Sequence, residues 1–200
     1  MSLGDERMIH EQGRLVHTMH LAGAKCSVQL FHAGAISVPG CQNAPRPVSS
    51  EERPCFFEGL ETTHALTDEE ADHMTLEYAK AAKRAKDAGY DAVSMHFCHG
   101  SLVTQFYSRG LNNRSDRWGE RRKEWGDNPL LFPLEILRKT RDLVGPDFPI
   151  ILRYSQWKQQ DYTARLAPTP QELEAFLKVF VDAGVDALHV SQRRYWEPEF

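Results

Sequence analysis

The sequence predicts an α/β protein of the (β/α)8 barrel type, with four consecutive strand–helix units in view. Amphipathic helix, glycine-containing turn and short β-prone run recur four times along the 200 residues. Strict alternation of helix and strand implies βαβ crossovers and therefore a parallel sheet. Each predicted strand carries one polar residue at its end, namely Gln29, His96, Arg153 and His189. A barrel puts its functional groups there, whereas a doubly wound sheet usually carries a Gly-rich phosphate loop, and no GxGxxG or P-loop motif is present.

The elements follow in order. A helix over 6–21 leads through Gly23 to a strand over 26–31. A second helix, 68–87, opens on Thr67-Asp68-Glu69-Glu70, a capping hydroxyl followed by acids in the first turn. It leads through Gly89 to a strand over 92–96. The third, 130–143, leads through Gly145 and Pro146 to a strand over 150–154. The fourth, 170–182, has Thr169 as cap and Pro170 at its first position, and leads through Gly184 to a strand over 187–191. Leu173, Phe176, Leu177, Phe180 and Val181 show the 3–4 spacing of one buried helix face. The Pro-containing stretch 41–61 reads as a long loop after the first strand, either shaping the substrate site or unstructured. Residues 108–127, dense in Arg, Asp and Trp, read as a solvated loop pinned by internal ion pairs.

A closed barrel takes roughly 250 residues, and only four strands are predicted. The expectation is one partial barrel domain over 1–200, holding the third to sixth units. The alternative is a half-barrel that pairs with a second copy as a homodimer. Net charge is −4 and no basic block exceeds Arg121-Arg122-Lys123, which argues against a nucleic-acid partner. No apolar run approaches the ~20 residues of a membrane helix, and the polar opening has no signal-peptide core. The expected location is the cytoplasm, without membrane contact. Cys26, Cys41, Cys55 and Cys98 form no CxxC pair, against both a zinc knuckle and a disulfide framework.

Four residues carry the candidate chemistry. The Gln29 amide offers a donor and an acceptor, which suits the edge of a pyrimidine-like ring. His96 and His99, three residues apart before Gly100, could converge on one anionic oxygen. They could equally simply pack; a metal held as part of a hydrolase is the lesser alternative, since no carboxylate or third His sits at helpful spacing. Arg153 follows three aliphatic residues, and burying a guanidinium without a partner is expensive, so it should meet an anion, a polarised carbonyl or a buried carboxylate. Cys98, between the imidazoles, reads as a buried inert thiol in preference to a reactive thiolate.

Taken together, these residues resemble the old yellow enzyme family. The likeness is carried by Gln29 in Gln-Leu-x-His-Ala-Gly, by His96-x-x-His99-Gly-x-Leu, and by Gln105-Phe106 leading to Asn113-Arg114-Ser115-Asp116-Arg117-Trp118-Gly119. The aliphatic run ending in Arg153 follows in the same order. The segments 155–162 and 193–200 are similar to one bacterial branch of NADH:flavin oxidoreductases. The resemblance implies FMN across the C-terminal barrel mouth, with NADH or NADPH as reductant. Gln29 is then expected at the flavin pyrimidine edge and Arg153 near N1 and the C2 carbonyl. His96 and His99 would grip the carbonyl oxygen of an α,β-unsaturated substrate, whose β-carbon takes the hydride. Ser101 stands where many members carry a proton-donating Tyr, so water, Tyr107 or Tyr154 becomes the candidate donor. Asn128-Pro129 stands where many members carry Asn-Arg. The family's phosphate-binding elements lie on strands beyond the four seen here, so the chain alone is expected to hold FMN poorly or to be a silent fragment.

Overall fold

In the computed structural model the described residues are 3–37, 46–55, 62–108, 110–119, 130–158 and 161–191. Four strands form one parallel sheet: β1 (Ser27–Leu30), β4 (Ala92–His96), β5 (Ile150–Tyr154) and β8 (Ala187–Val190), in the order β1-β4-β5-β8. The helices are α1 (Met8–Leu21), α2 (Asp68–Asp87), α3 (Leu102–Tyr107), α4 (Leu131–Val144) and α5 (Pro170–Asp182). Two short pairs lie outside the main sheet: β2 (Val48–Ser49) with β3 (His64–Ala65), parallel, and β6 (Trp157–Lys158) with β7 (Asp161–Arg165), antiparallel. Within the predicted loop 41–61, β2 is therefore ordered, while 41–45 and 56–61 lie outside the described residues.

Local chemistry explains the boundaries. Thr67 accepts from the Glu70 N–H at 3.1 Å, and Glu70 returns the contact to the Thr67 N–H at 2.8 Å. Thr169 and Glu172 repeat this at 3.2 and 3.0 Å. Each reciprocal cap satisfies two N–H groups that a helix start leaves over. The sequence Asp87-Ala88-Gly89-Tyr90-Asp91-Ala92 recurs as Asp182-Ala183-Gly184-Val185-Asp186-Ala187. In both copies the glycine ends the helix at φ +91 or +96°, and the second Asp caps the start of the neighbouring strand. Asp91 accepts from the Cys26 N–H and Asp186 from the Ile150 N–H, at 2.9 and 2.8 Å. The first strand starts at Ser27, one residue later than predicted.

Register divides the sheet into two faces. Val93, Met95, Ile150 and Leu152 are fully buried on the helix-facing side. Against them lie α2, which presents Ala71, Ala79, Ala82 and Ala85, and α4, which presents Ile136 and Leu137. Small side chains on α2 let it approach α4 closely. Phe106 of α3 stacks on Phe132 of α4 at 3.9 Å, with Trp118 edge-on to the same ring.

The segment 110–119 is anchored more firmly than a solvated loop. Arg114 pairs with Asp116 and donates to the Ser50 and Leu66 carbonyls. Arg117 reaches Asp68 and Asp72 on α2, and Trp118 donates to Asp68. Buried Asn112 ties the Phe106 and Trp118 carbonyls together. The predicted basic block and Asn128-Pro129 lie outside the described residues, as do 192–200. Among the described residues no helix is long and apolar enough to cross a membrane.

Candidate functional site

Residues in register across parallel strands share a face. Gln29 pairs with Ser94, His96 with Arg153, and Arg153 with His189. Stepping two residues along each strand puts Gln29, Ser94, His96, Arg153 and His189 on the face opposite the helices. The side chains then meet. Arg153 Nη1 donates to Gln29 Oε1 at 3.2 Å, and Arg153 Nη2 donates to Ser191 Oγ at 3.0 Å. Ser191 Oγ lies 2.9 Å from His99 Nε2. The His96 and His99 rings stand edge to face at 5.1 Å, and Phe31 presses edge-on against His96 at 4.8 Å.

His99 reaches this position through an unusual backbone. Its φ is +58°, followed by Gly100 at +71°, and a non-Gly residue in the left-handed region carries strain. The turn is braced from outside. Buried Gln105 donates from Nε2 to the Gly100 carbonyl at 2.7 Å, and the Leu102 N–H donates to the His32 carbonyl at 3.0 Å. Gly34 packs so tightly here that a Cβ would sit 2.7 Å from Gln105 Nε2 and 2.8 Å from Leu102 Cα. Much of the Gln-Leu-x-His-Ala-Gly and Gln105-Phe106 motif is therefore architecture for the His99 turn.

Both imidazoles are held neutral. Burial, then His99, Arg153 and His189, push the His96 pKa down to about 4. Burial, then Arg153, lowers that of His99. A neutral imidazole beside a fixed guanidinium gives one N–H and keeps one lone pair. Two such donors beside a cation suit an oxygen that gains negative charge.

The structure changes the reading of the proton donor. Ser101 is fully buried, with Oγ 3.4 Å from the His96 carbonyl and 3.3 Å from Thr104 Oγ1, so it points into the fold. Tyr107 donates to the Phe97 carbonyl and is buried. Tyr154 pairs in register with Val190, on the helix-facing side of the sheet. Ser101 and Tyr154 do not face the site, and Tyr107, which borders a small hollow beside Cys98 and His99, has its hydroxyl engaged by Phe97.

Two participants were not expected from the sequence. Ser191 and Ser94 are each two residues from a recognised site residue, His189 and His96, so strand parity was the signal. Cys98, expected as a buried thiol, is buried and supplies a third donor to the imidazole pair. Its Sγ is 3.7 Å from His96 Nε2, and one donor atom from each of His96, Cys98 and His99 falls within 4.8 Å of the others. The hollow of about 490 Å³ between α1, α2 and the β1 edge is lined by Gln12, Leu30, Met74 and Tyr78, and of the site residues it touches Gln29 and Phe31.

The face fits a flat polar ring such as a flavin. Ser94 Oγ and Arg153 Nε are buried without a hydrogen-bond partner, a cost that a bound polar group relieves. Exposed Gln29 gives its oxygen to Arg153, and its amide N–H groups make no contact among the described residues.

Fold and face together define part of a (β/α)8 barrel with a polar, cation-bearing carboxyl rim. The chain belongs to the NADH:flavin oxidoreductase / NADH oxidase family, whose family model matches residues 2–198. The enzymes of this family use FMN with NADH or NADPH. The chain is 34% identical over 198 residues to an NADH oxidase of Thermoanaerobacter brockii, covering 98% of this chain and 29% of that protein. It is 30% identical over 188 residues to a cinnamate reductase of Clostridium sporogenes, covering 88% and 27%. Morphinone reductase superposes with a TM-score of 0.76 at 24% identity, over 96% of this chain and 54% of that one. The chain thus spans between a quarter and about half the length of these relatives.

Proposed function

We propose that this chain supplies the ring-binding wall and the substrate grip of an FMN-dependent NAD(P)H oxidoreductase acting on the activated C=C bond of an α,β-unsaturated carbonyl. The single observation that carries this is the continuous contact Gln29–Arg153–Ser191–His99 along one rim, with His96 beside it. Bound FMN, reduced by NAD(P)H, would supply the hydride for the β-carbon. Gln29 and Arg153 would hold the polar edge of the ring, with the Arg153 cation favouring negative charge there. His96 and His99 would each donate one hydrogen bond to the substrate carbonyl oxygen and stabilise the charge that develops on it. Phe31, edge-on to His96, helps keep that imidazole out of water. With Ser101 and Tyr154 turned away and the Tyr107 hydroxyl engaged by Phe97, the α-carbon proton is assigned to water. The cinnamate reductase among the relatives is named for a substrate of this conjugated type.

The test is anaerobic. Protein from the complete reading frame, loaded with FMN, should bleach with NADH or NADPH and regain its colour when 2-cyclohexenone is added. Such protein taking up no FMN, or bleaching without being reoxidised by any enone, defeats the reading. The third donor, Cys98, favours a metal-hydrolase reading. Against it, Ser191 already occupies His99 Nε2, and the adjacent Arg153 repels a cation. Stoichiometric zinc in the purified protein would reverse that preference.

A further inference from the structure

His99 has two ring nitrogens, and which of them carries the hydrogen decides what the residue can offer a substrate. The surrounding contacts resolve this. Arg153 Nη2 is 3.0 Å from Ser191 Oγ, and a guanidinium is a donor only, so Oγ accepts there. Ser191 is buried, at 5% exposure, and its hydroxyl hydrogen needs an acceptor. Among the described residues the other contact of Oγ is His99 Nε2, at 2.9 Å. The hydroxyl therefore donates to Nε2, and a nitrogen accepting that bond carries no hydrogen of its own. The opposite arrangement, Nε2–H donating to Oγ, strands the buried hydroxyl proton.

We propose that Ser191 is a positioning residue that locks His99 in the tautomer with hydrogen on Nδ1, relaying the Arg153 contact to the imidazole. Resting on the reading above, this makes Nδ1–H the hydrogen that His99 gives to the substrate carbonyl. It also gives Arg153 a second task besides its bond to Gln29. The guanidinium polarises the Ser191 O–H, and hydrogen bonds in such a chain strengthen one another. Burial, and then the same cation, lower the His99 pKa, which favours the neutral ring in which a tautomer exists to be chosen. The left-handed backbone at His99 fixes the ring from the other side.

The experiment is nitrogen NMR on FMN-loaded protein labelled at histidine nitrogen, with His99 assigned by difference against His99→Asn. Nδ1 should show the signal of a protonated ring nitrogen and Nε2 that of an acceptor. Ser191→Ala should give a mixture of tautomers. It should slow enone reduction about five- to tenfold, as expected for one weakened hydrogen bond, and Ser191→Thr, which keeps the hydroxyl, should restore both. A wild-type proton on Nε2 overturns the proposal, as does an Ala variant with unchanged spectrum and rate. If the NMR pattern is as expected but no enone is reduced, the functional reading falls and the tautomer lock stands.

Discussion

Acid should unfold this protein earlier than its carboxylates alone would allow, because two buried imidazoles refuse protons. The pKa values of His96 and His32 are pushed from 6.5 down to about 4, for both chiefly by burial. The unfolded chain binds protons at these positions from about pH 6.5 downward, whereas the folded chain does so only near pH 4. Folded-state values below the unfolded ones mean that stability is full above 6.5 and falls as the pH drops through this window. At about 1.4 kcal/mol per pH unit, moving from pH ~7 to ~4.5 costs about 2.5 kcal/mol for each histidine, or about 5 kcal/mol together. That is a large share of the ~5–15 kcal/mol that typically holds a domain folded. Urea unfolding at stepped pH, followed by circular dichroism, reads this directly. His96→Asn removes one of the two imidazoles and should cut the loss between pH ~7 and ~4.5 by about half. Parallel curves for wild type and variant, or a His96 imidazole that titrates at its ordinary value by NMR, would refute the reasoning.

Three further outcomes are expected. His99→Ala should slow enone reduction by about 10²-fold, the usual scale for losing one donor to a developing oxyanion, in stopped-flow reoxidation of the reduced flavin. Gly34→Ala should destabilise by at least about 2 kcal/mol in urea, since the left-handed φ alone costs about 1–2 and the Leu102 backbone stands 2.8 Å from the new Cβ. Adding Gln105→Ala should not restore it, because that backbone contact remains. Thr67→Ala should cost about 1 kcal/mol by losing the α2 cap, with enone reduction as in wild type.

What could be read from the residues follows from the range of the forces involved. β4, β5, α2 and α5 have the predicted bounds because caps, glycine turns and apolar spacing all act within a few residues. β2 was missed because two residues are held by pairing with His64–Ala65, far along the chain. The hairpin of β6 and β7 was missed as well. α3 was invisible to periodicity because every one of its six residues is buried. The common face of Gln29, His96 and Arg153 was legible from strand alternation. The inward turn of Ser101 was not, since it depends on a positive φ at His99 that no local propensity announces. Ser191, the last residue of the predicted strand 187–191, was passed over for His189, two residues earlier on the same face.

The bend in the chain at position 99 also limits how this catalyst can be redesigned. A backbone in that conformation admits few side chains at low cost, chiefly glycine, asparagine and aspartate. Of these, only asparagine is an uncharged donor. Most other side chains at this site carry a backbone cost of about 1–2 kcal/mol and lose the donor, and the productive route to altered substrate choice lies in asparagine here combined with changes at Phe31 and Ser191.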